Sequence, residues 1–561
     1  MTRISLGSLL LMVSAAGAGA QTGPNPVKHD PKPTVAAITP ADLMSRVYIF
    51  ADDSMLGREA GTPAHLKGTE YIERELRRIG LEPAGDNGSF FQEFGLETIQ
   101  PQVTVSVAGE ALVQGADYLA FPFVQLPAIG APFNAENVNV VFGGKLGTPN
   151  LVAPDAVVGK LALFLPADGG AGWQFWSRFG PPQYQRYAGA KGLIIAALDV
   201  TPTEVRGLLQ GEGQMRIAGQ GELQKGEIPT MFVSRSAAEK MMGGPVTGIL
   251  PGAEGKAVTA KGWFGPVPTP APARNVVALV RGSDATLKSQ YVVFGAHSDH
   301  DGIRSAVEHD SLRAFNTVVR PGGAEDTGKQ PTAQQAGAVR AVLDSLRQAG
   351  PGRVDSIMNG ADDDASGSMA LLELAEFFAK NPARRSLLFV WHTAEEKGLF
   401  GSAWYTDHPT VPRDSMVAAL NVDMIGRGGP ADLQGGGPGY VQLIGSRRLS
   451  TQLGTLVEEV NVKGNHGFTF DYQYDADGHP QQFYCRSDHY NYARYGIPVV
   501  FFSTGSHRDY HMVTDEPQYL DYEKLAKVTS LIGDVGKTVA NLDQRPVVDK
   551  PKPDPKGECK Q

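Results

Sequence analysis

Cysteine is scarce: the 561 residues hold two, Cys485 and Cys559. A multi-disulfide scaffold is thereby excluded, and a chain of this length is held by packing over two or more hydrophobic cores. Basic excess is lacking as well. The net charge is -9, and without a basic face to neutralise phosphates, nucleic acid is excluded as the main partner. No apolar run beyond the N-terminus reads as transmembrane, and there is no internal repeat. With 42% hydrophobic and 20% charged residues, the composition is that of a soluble globular protein.

What is present begins with Arg3, the apolar stretch Leu9-Leu10-Leu11-Met12-Val13 and Ala18-Gly19-Ala20 ahead of Gln21. This is the pattern of a secretory signal over residues 1–20 with a small-residue cleavage site. Its apolar core is too short to span a bilayer, and no cysteine follows the cleavage site to take a lipid anchor. The expected location is the periplasm or the exterior, where a Cys485–Cys559 bridge is permitted. The Pro/Lys-rich surroundings of Cys559 leave that pairing open.

Residues 21–38 read as a flexible leader. Thr39-Pro40 suits a helix N-cap followed by Pro at the first helical position, and Ile72, Leu76 and Ile79 predict an amphipathic helix stopped by Gly80. From 109 to 265 the texture changes to short β-like runs with many Gly and Pro residues. That block has no convergent set of His and acidic residues, so it reads as a separate, noncatalytic module. Residues 266–273 look like a stiff Pro-rich connector, and 541–561 like a disordered tail. The remainder, 39–108 with 274–540, alternates strands and helices, which implies an α/β fold with a doubly wound mixed sheet and helices on both faces.

Chemistry concentrates where apolar runs end. Val292 to Ala296 leads into His297-Ser298-Asp299, Leu387 to Trp391 into His392 and Glu395-Glu396, and Val417 to Val422 into Asp423. Strands ending in this way place those side chains on one rim of a sheet, where open α/β folds build their sites. Asp362-Asp363-Asp364, ahead of a predicted helix, repel one another unless donors or a cation compensate. An Asp-rich loop is commonly a calcium site or a solvated turn. Joined with His297, His511, Asp423 and one acid of the Glu pair, however, it offers a ligand set for two divalent cations about 3.5–4 Å apart. Imidazole and carboxylate ligands suit zinc. The other Glu would then be free to act as a base.

Five ordered motifs, His297-Ser298-Asp299, Gly360 to Gly367, Glu395-Glu396-Lys397-Gly398, Asn421 to Gly426 and Tyr510-His511, resemble those of the secreted di-zinc aminopeptidase family that also includes glutamate carboxypeptidase. Leu56-Gly57-Arg58 and Arg486-Ser487-Asp488-His489 are similar to that family too, and the β-rich block is similar to the protease-associated domain inserted in such enzymes. The resemblance implies a zinc exopeptidase fold binding two Zn2+ per chain. Asp363 would bridge the metals, His297 and Asp423 would complete one site, and Glu396 and His511 the other. It further implies Glu395 as general base, Tyr510 as donor to the oxyanion, Asp299 as the carboxylate that fixes the His297 tautomer, and a cis peptide after Asp363. The implied activity is aminopeptidase hydrolysis of peptides with a free N-terminus through a metal-bridging water. Relatives within the resemblance offer alternatives: a carboxypeptidase for acidic dipeptides, with Arg427 and Arg486 as candidate anchors, or a noncatalytic receptor-like binding protein. His300, His392, His489 and His507 read as packing or supporting residues, and Asp362 and Asp364 as loop acids. The departure from the family is the long stretch from Gly302 to Arg353, where Val339, Val342, Leu343 and Leu346 predict a helix over the pocket or at an interface.

Overall fold

The computed structural model describes residues 25–121, 130–166, 185–201, 206–207, 209, 214–221, 223 and 225–561. The signal-like segment and the start of the leader lie outside these residues. The chain divides into two units, residues 93–273 and residues 1–92 with 274–561.

The larger unit is built on a nine-stranded mixed sheet. Its centre is four parallel strands in the order Ser386–His392, Tyr291–His297, Met416–Val422 and Val499–Ser503. Antiparallel neighbours flank them, Ala273–Val280 on one side and Tyr440–Ile444 on the other. The central runs are apolar at nearly every position because both faces are covered. Val292, Phe294, Leu387, Phe389 and Trp391 enter a core with the helices Pro40–Phe50, Gly367–Lys380 and Tyr522–Asn541. The alternate residues Val293, Leu388 and Val390 enter a second core with Tyr405, Tyr490 and Tyr492. Each such side chain, wholly buried, contributes about 1.5–3 kcal/mol.

Local signals act as expected. Thr39 accepts from the Asp42 amide to cap Pro40–Phe50, and Gly80 ends Pro63–Ile79 in the left-handed conformation. The smaller unit carries its own nine-stranded sheet. Its long strands Leu96–Val107, Glu254–Pro268 and Phe133–Lys145 pair antiparallel, and Leu161–Leu165, Gly192–Ile195 and Thr230–Val233 continue parallel from the last.

Several boundaries differ from expectation. Leu96–Val107 belongs to the second sheet, so the smaller unit starts at residue 93 rather than 109. Pro266 and Pro268 lie in the strand Glu254–Pro268 rather than in a free connector. The described leader residues are tied down by their polar groups: Asn25 Nδ2 donates to Leu520 O at 2.7 Å and Thr34 Oγ1 to Glu376 Oε2 at 2.7 Å. The C-terminal tail is fastened rather than loose. Cys485 and Cys559 form a disulfide, and the Gln561 side chain accepts from Tyr484 N and donates to Tyr474 O.

The 302–353 stretch opens with the strand Ile303–Glu308, which pairs antiparallel with Val354–Ile357 just beyond its end, and holds the helices His309–Val319 and Ala333–Ala349 between them. The second of these is the helix expected from Val339 to Leu346. Among the described residues no helix is long and apolar enough to cross a membrane.

Candidate metal centre

Three strand ends and two loops deliver the side chains. His297 and His392 are paired in register at the ends of adjacent parallel strands, and Asp423 follows Met416–Val422. The Asp363 loop is held from several sides. Arg58, wholly buried, donates to the carbonyls of Asn359 at 2.8 Å, Gly360 at 3.1 Å, Ser298 at 3.2 Å and Phe50 at 2.9 Å. The Asp515 carboxylate accepts from the amides of Asp362 and Asp363. Asp364 accepts from the amides of His297, Gly367 and Met424, and Asp362 from that of Gly426, with His507 Nε2 3.2 Å from its other oxygen. Asp362 and Asp364 are therefore internal anchors, not solvated loop acids. The Asp363–Asp364 peptide is cis, as the resemblance implied.

Asp363 occupies the middle of the cluster. Its Oδ1 lies 3.1 Å from His297 Nε2 and its Oδ2 lies 2.9 Å from His511 Nε2. On the first side Asp423 Oδ1 is 3.7 Å from His297 Nε2, while Ser487 Oγ donates to Asp423 Oδ2 at 2.7 Å and receives from Asn421 at 2.8 Å. On the other side Glu396 Oε2 is 3.1 Å from His511 Nε2. Glu395 and Glu396 both converge with His297. The Tyr510 ring packs 4.2 Å from that of His511, and its hydroxyl accepts from Arg486 at 3.1 Å. His297 Nδ1 lies 3.2 Å from the Asp299 main-chain carbonyl and 3.8 Å from its carboxylate. The tautomer is thus fixed by the backbone oxygen, and the Asp299 carboxylate instead accepts from Glu395 N at 3.2 Å.

Charge in the cluster is unbalanced. Burial, together with the Glu396, Asp423 and Asp488 charges, pushes the Glu395 carboxyl well above the usual carboxylate range against the pull of His297. Burial alone would lower the His297 imidazole, but Glu395, Asp299, Asp363 and Asp423 raise it well above its ordinary value. Burial would raise Asp363, yet the His297, His511 and His300 rings hold it well below its ordinary value. Carboxylates crowded together in this way repel one another, and divalent cations would relieve that repulsion. The donor set fits zinc: imidazole nitrogens and carboxylate oxygens fall into groups of three, such as His297, Asp363 and Asp423, whose ligand atoms lie within 4.8 Å of one another, and the buried His297 Nε2 makes no hydrogen bond.

Two neighbours are closer to the centre than the sequence indicated. His300, wholly buried, sets Nδ1 2.6 Å from Glu396 Oε1. Asp301 stands 3.6 Å behind His511 Nδ1 while pairing with Lys397 at 2.9 Å. Both follow directly on His297-Ser298-Asp299, which is the signal that could have found them. His392 pairs with Asp488 at 3.2 Å and Tyr492 at 2.9 Å, a supporting role as expected.

Residues 275–535 match peptidase family M28. The matched stretch, a little under half of the chain, carries His297, Asp363, Glu395, Glu396, Asp423 and His511 and is similar to that family. Leucine aminopeptidase 1 of Aspergillus fumigatus is 26% identical over 186 residues, 31% of this chain and 44% of that protein. Leupeptin-inactivating enzyme 1 of Streptomyces exfoliatus is 31% identical over 151 residues, 26% of this chain and 30% of that protein. The chain thus spans less than half the length of these curated relatives. A zinc aminopeptidase from Bacillus subtilis superposes with a TM-score of 0.47 at 17% identity, covering 92% of this chain and 99% of that one. Within the matched residues the two candidate anchoring arginines differ. Arg427 is buried and paired with Asp432 at 2.7 Å and Asp509 at 3.0 Å, whereas Arg486 remains 38% exposed beside Tyr510.

Proposed function

We propose that this chain is an exported zinc exopeptidase that removes N-terminal residues from peptides. The observation that carries the reading is the convergence of His297, Glu396, Asp423 and His511 around Asp363, with Glu395 beside His297 and Glu396. His297, Asp363 and Asp423 would hold one zinc, and Asp363, Glu396 and His511 a second. Bound there, zinc would supply Lewis-acid polarisation of a peptide carbonyl and acidification of water.

The residues of the chain do the remainder. Glu395, whose proton affinity is raised by burial, takes a proton from the attacking water and passes it to the leaving amine. Asp299 holds the Glu395 amide and the His297 ring, fixing the base relative to the ligands. The Tyr510 hydroxyl, oriented by Arg486, donates to the substrate oxygen as charge develops on it. The N-terminal segment and the Cys485–Cys559 bridge support an oxidising, extracytoplasmic location. We read residues 93–273 as a protease-associated type of domain, a noncatalytic module that binds partners or gates substrate.

Glu395→Gln tests the assignment. The variant should keep its zinc and lose at least about 10³-fold in kcat, in the upper range of a general base contribution; turnover within tenfold of the wild type would sink the role. Pairs of N-free and N-blocked dipeptides then fix the class. Cleavage of the N-free member only is expected, and cleavage of N-blocked acidic dipeptides would transfer the reading to a carboxypeptidase.

A further inference from the structure

The 302–353 segment reaches into the site through one short turn. Gly323 has φ +59, and a Cβ there would lie 2.6 Å from Tyr510 O and 2.7 Å from His507 O. The turn therefore sits directly on the loop that presents Tyr510 and His511. Ala324 N donates to Tyr510 O at 3.1 Å. Deeper in the same contact, the buried Arg313 guanidinium donates to Asp509 at 2.7 Å and lies over the Tyr519 ring, and Asn316 Nδ2 donates to Arg508 O at 2.9 Å. These contacts fix where the next side chain points.

That side chain is Glu325. Its Oε1 lies 2.7 Å from Arg486 Nη2, the same nitrogen that donates to the Tyr510 hydroxyl at 3.1 Å. Gln481 Nε2 donates to its other oxygen at 3.4 Å. Glu325 is 18% exposed and Arg486 38%, so the pair is partly open to solvent beside the Tyr510 hydroxyl. A lone guanidinium in this place would attract carboxylates and form a fork with them. Paired with Glu325, it offers no net charge.

Resting on the exopeptidase reading above, we propose that Glu325 is a specificity-determining and positioning residue: its carboxylate neutralises Arg486 and holds it against Tyr510, so that the site rejects acidic groups near Arg486 and takes neutral or cationic ones. The segment that departs from the family would thus set the charge preference of the site through a single side chain.

The test compares glutamate with glutamine, which differ in charge at nearly constant shape, as ligands of the full-length zinc-loaded protein. Wild type should bind glutamine at least as tightly as glutamate by calorimetric titration. Glu325→Gln should improve glutamate relative to glutamine about tenfold or more, an effect reduced by salt, and the double variant Glu325→Gln with Arg486→Met should cancel the gain. Zinc content and the thermal midpoint, measured on the same samples, report whether the fold is kept. A ratio within twofold of wild type in Glu325→Gln, or an equal gain in the double variant, overturns the proposal. A purely structural role would weaken both ligands alike and leave the ratio unmoved. Hydrolysis of Glu- and Gln-initiated dipeptides is followed in parallel. If wild type cleaves neither, the exopeptidase reading fails, while the binding ratio still decides the role of Glu325.

Discussion

Replacing Arg58 with methionine would strip four buried carbonyls of their donor. The guanidinium bonds Phe50, Ser298, Asn359 and Gly360 oxygens at 2.8–3.2 Å with no exposure to solvent. An orphaned buried acceptor costs about 1–3 kcal/mol, so four near the middle of that range amount to about 8 kcal/mol. Burial acts in the opposite direction. It pushes the Arg58 pKa down from 12.5 to about 10, a desolvation cost of roughly 3 kcal/mol that methionine would not bear. The expected net loss is about 5 kcal/mol. Urea denaturation followed by circular dichroism measures it, and the loss should fall on the unit formed by residues 1–92 and 274–561. Because Gly360 leads into Asp363 and Ser298 follows His297, zinc affinity should fall as well. A stability loss under about 1 kcal/mol would refute the reasoning, since it would mean that the carbonyls find other partners at no cost.

Two further outcomes are expected. Cys485→Ser with Cys559→Ser should lower stability by about 2–4 kcal/mol and expose the tail beyond residue 543 to limited proteolysis; an unchanged digestion pattern would contradict the fastening described above. Burial lowers His489 to about 3 from 6.5, with its ring stacked 4.8 Å from that of Phe501. Below pH 6.5 the unfolded chain takes up a proton that the folded one refuses. This contribution is therefore complete above pH 6.5 and is lost as pH falls toward about 3, by roughly 1.4 kcal/mol per pH unit. His489→Phe should flatten that part of the stability profile, and an unaltered slope would count against the cause.

Much of the fold could be read in the sequence because its signals are local. The runs ending at His297, His392 and Asp423 are apolar at consecutive positions, and only a strand covered on both faces needs that. Thr39, Pro40 and Gly80 mark helix ends by side-chain and backbone chemistry that does not depend on context. The boundary at residue 93 was not visible, since Leu96–Val107 alternates in the way an edge strand of either sheet would. The tail reads as disordered because composition alone cannot show that Cys559 finds Cys485 or that Gln561 finds Tyr474.

The candidate site divides in the same manner. His297, Asp363, Glu395, Glu396, Asp423 and His511 stand in motifs whose spacing is readable, and the fold brings them together. Asp515 below the Asp363 loop and Glu325 on Arg486 are separated from their partners by more than 150 residues. Nothing local distinguishes either from a surface acid.

The central claim is that Asp363 stands between two cation sites. Equilibrium titration of chelator-stripped protein with zinc, read by a competing indicator, tests it most directly. The account predicts two zinc ions per wild-type chain and weakening of both sites by Asp363→Ala. A single site, or a second site unaffected by that substitution, would contradict it.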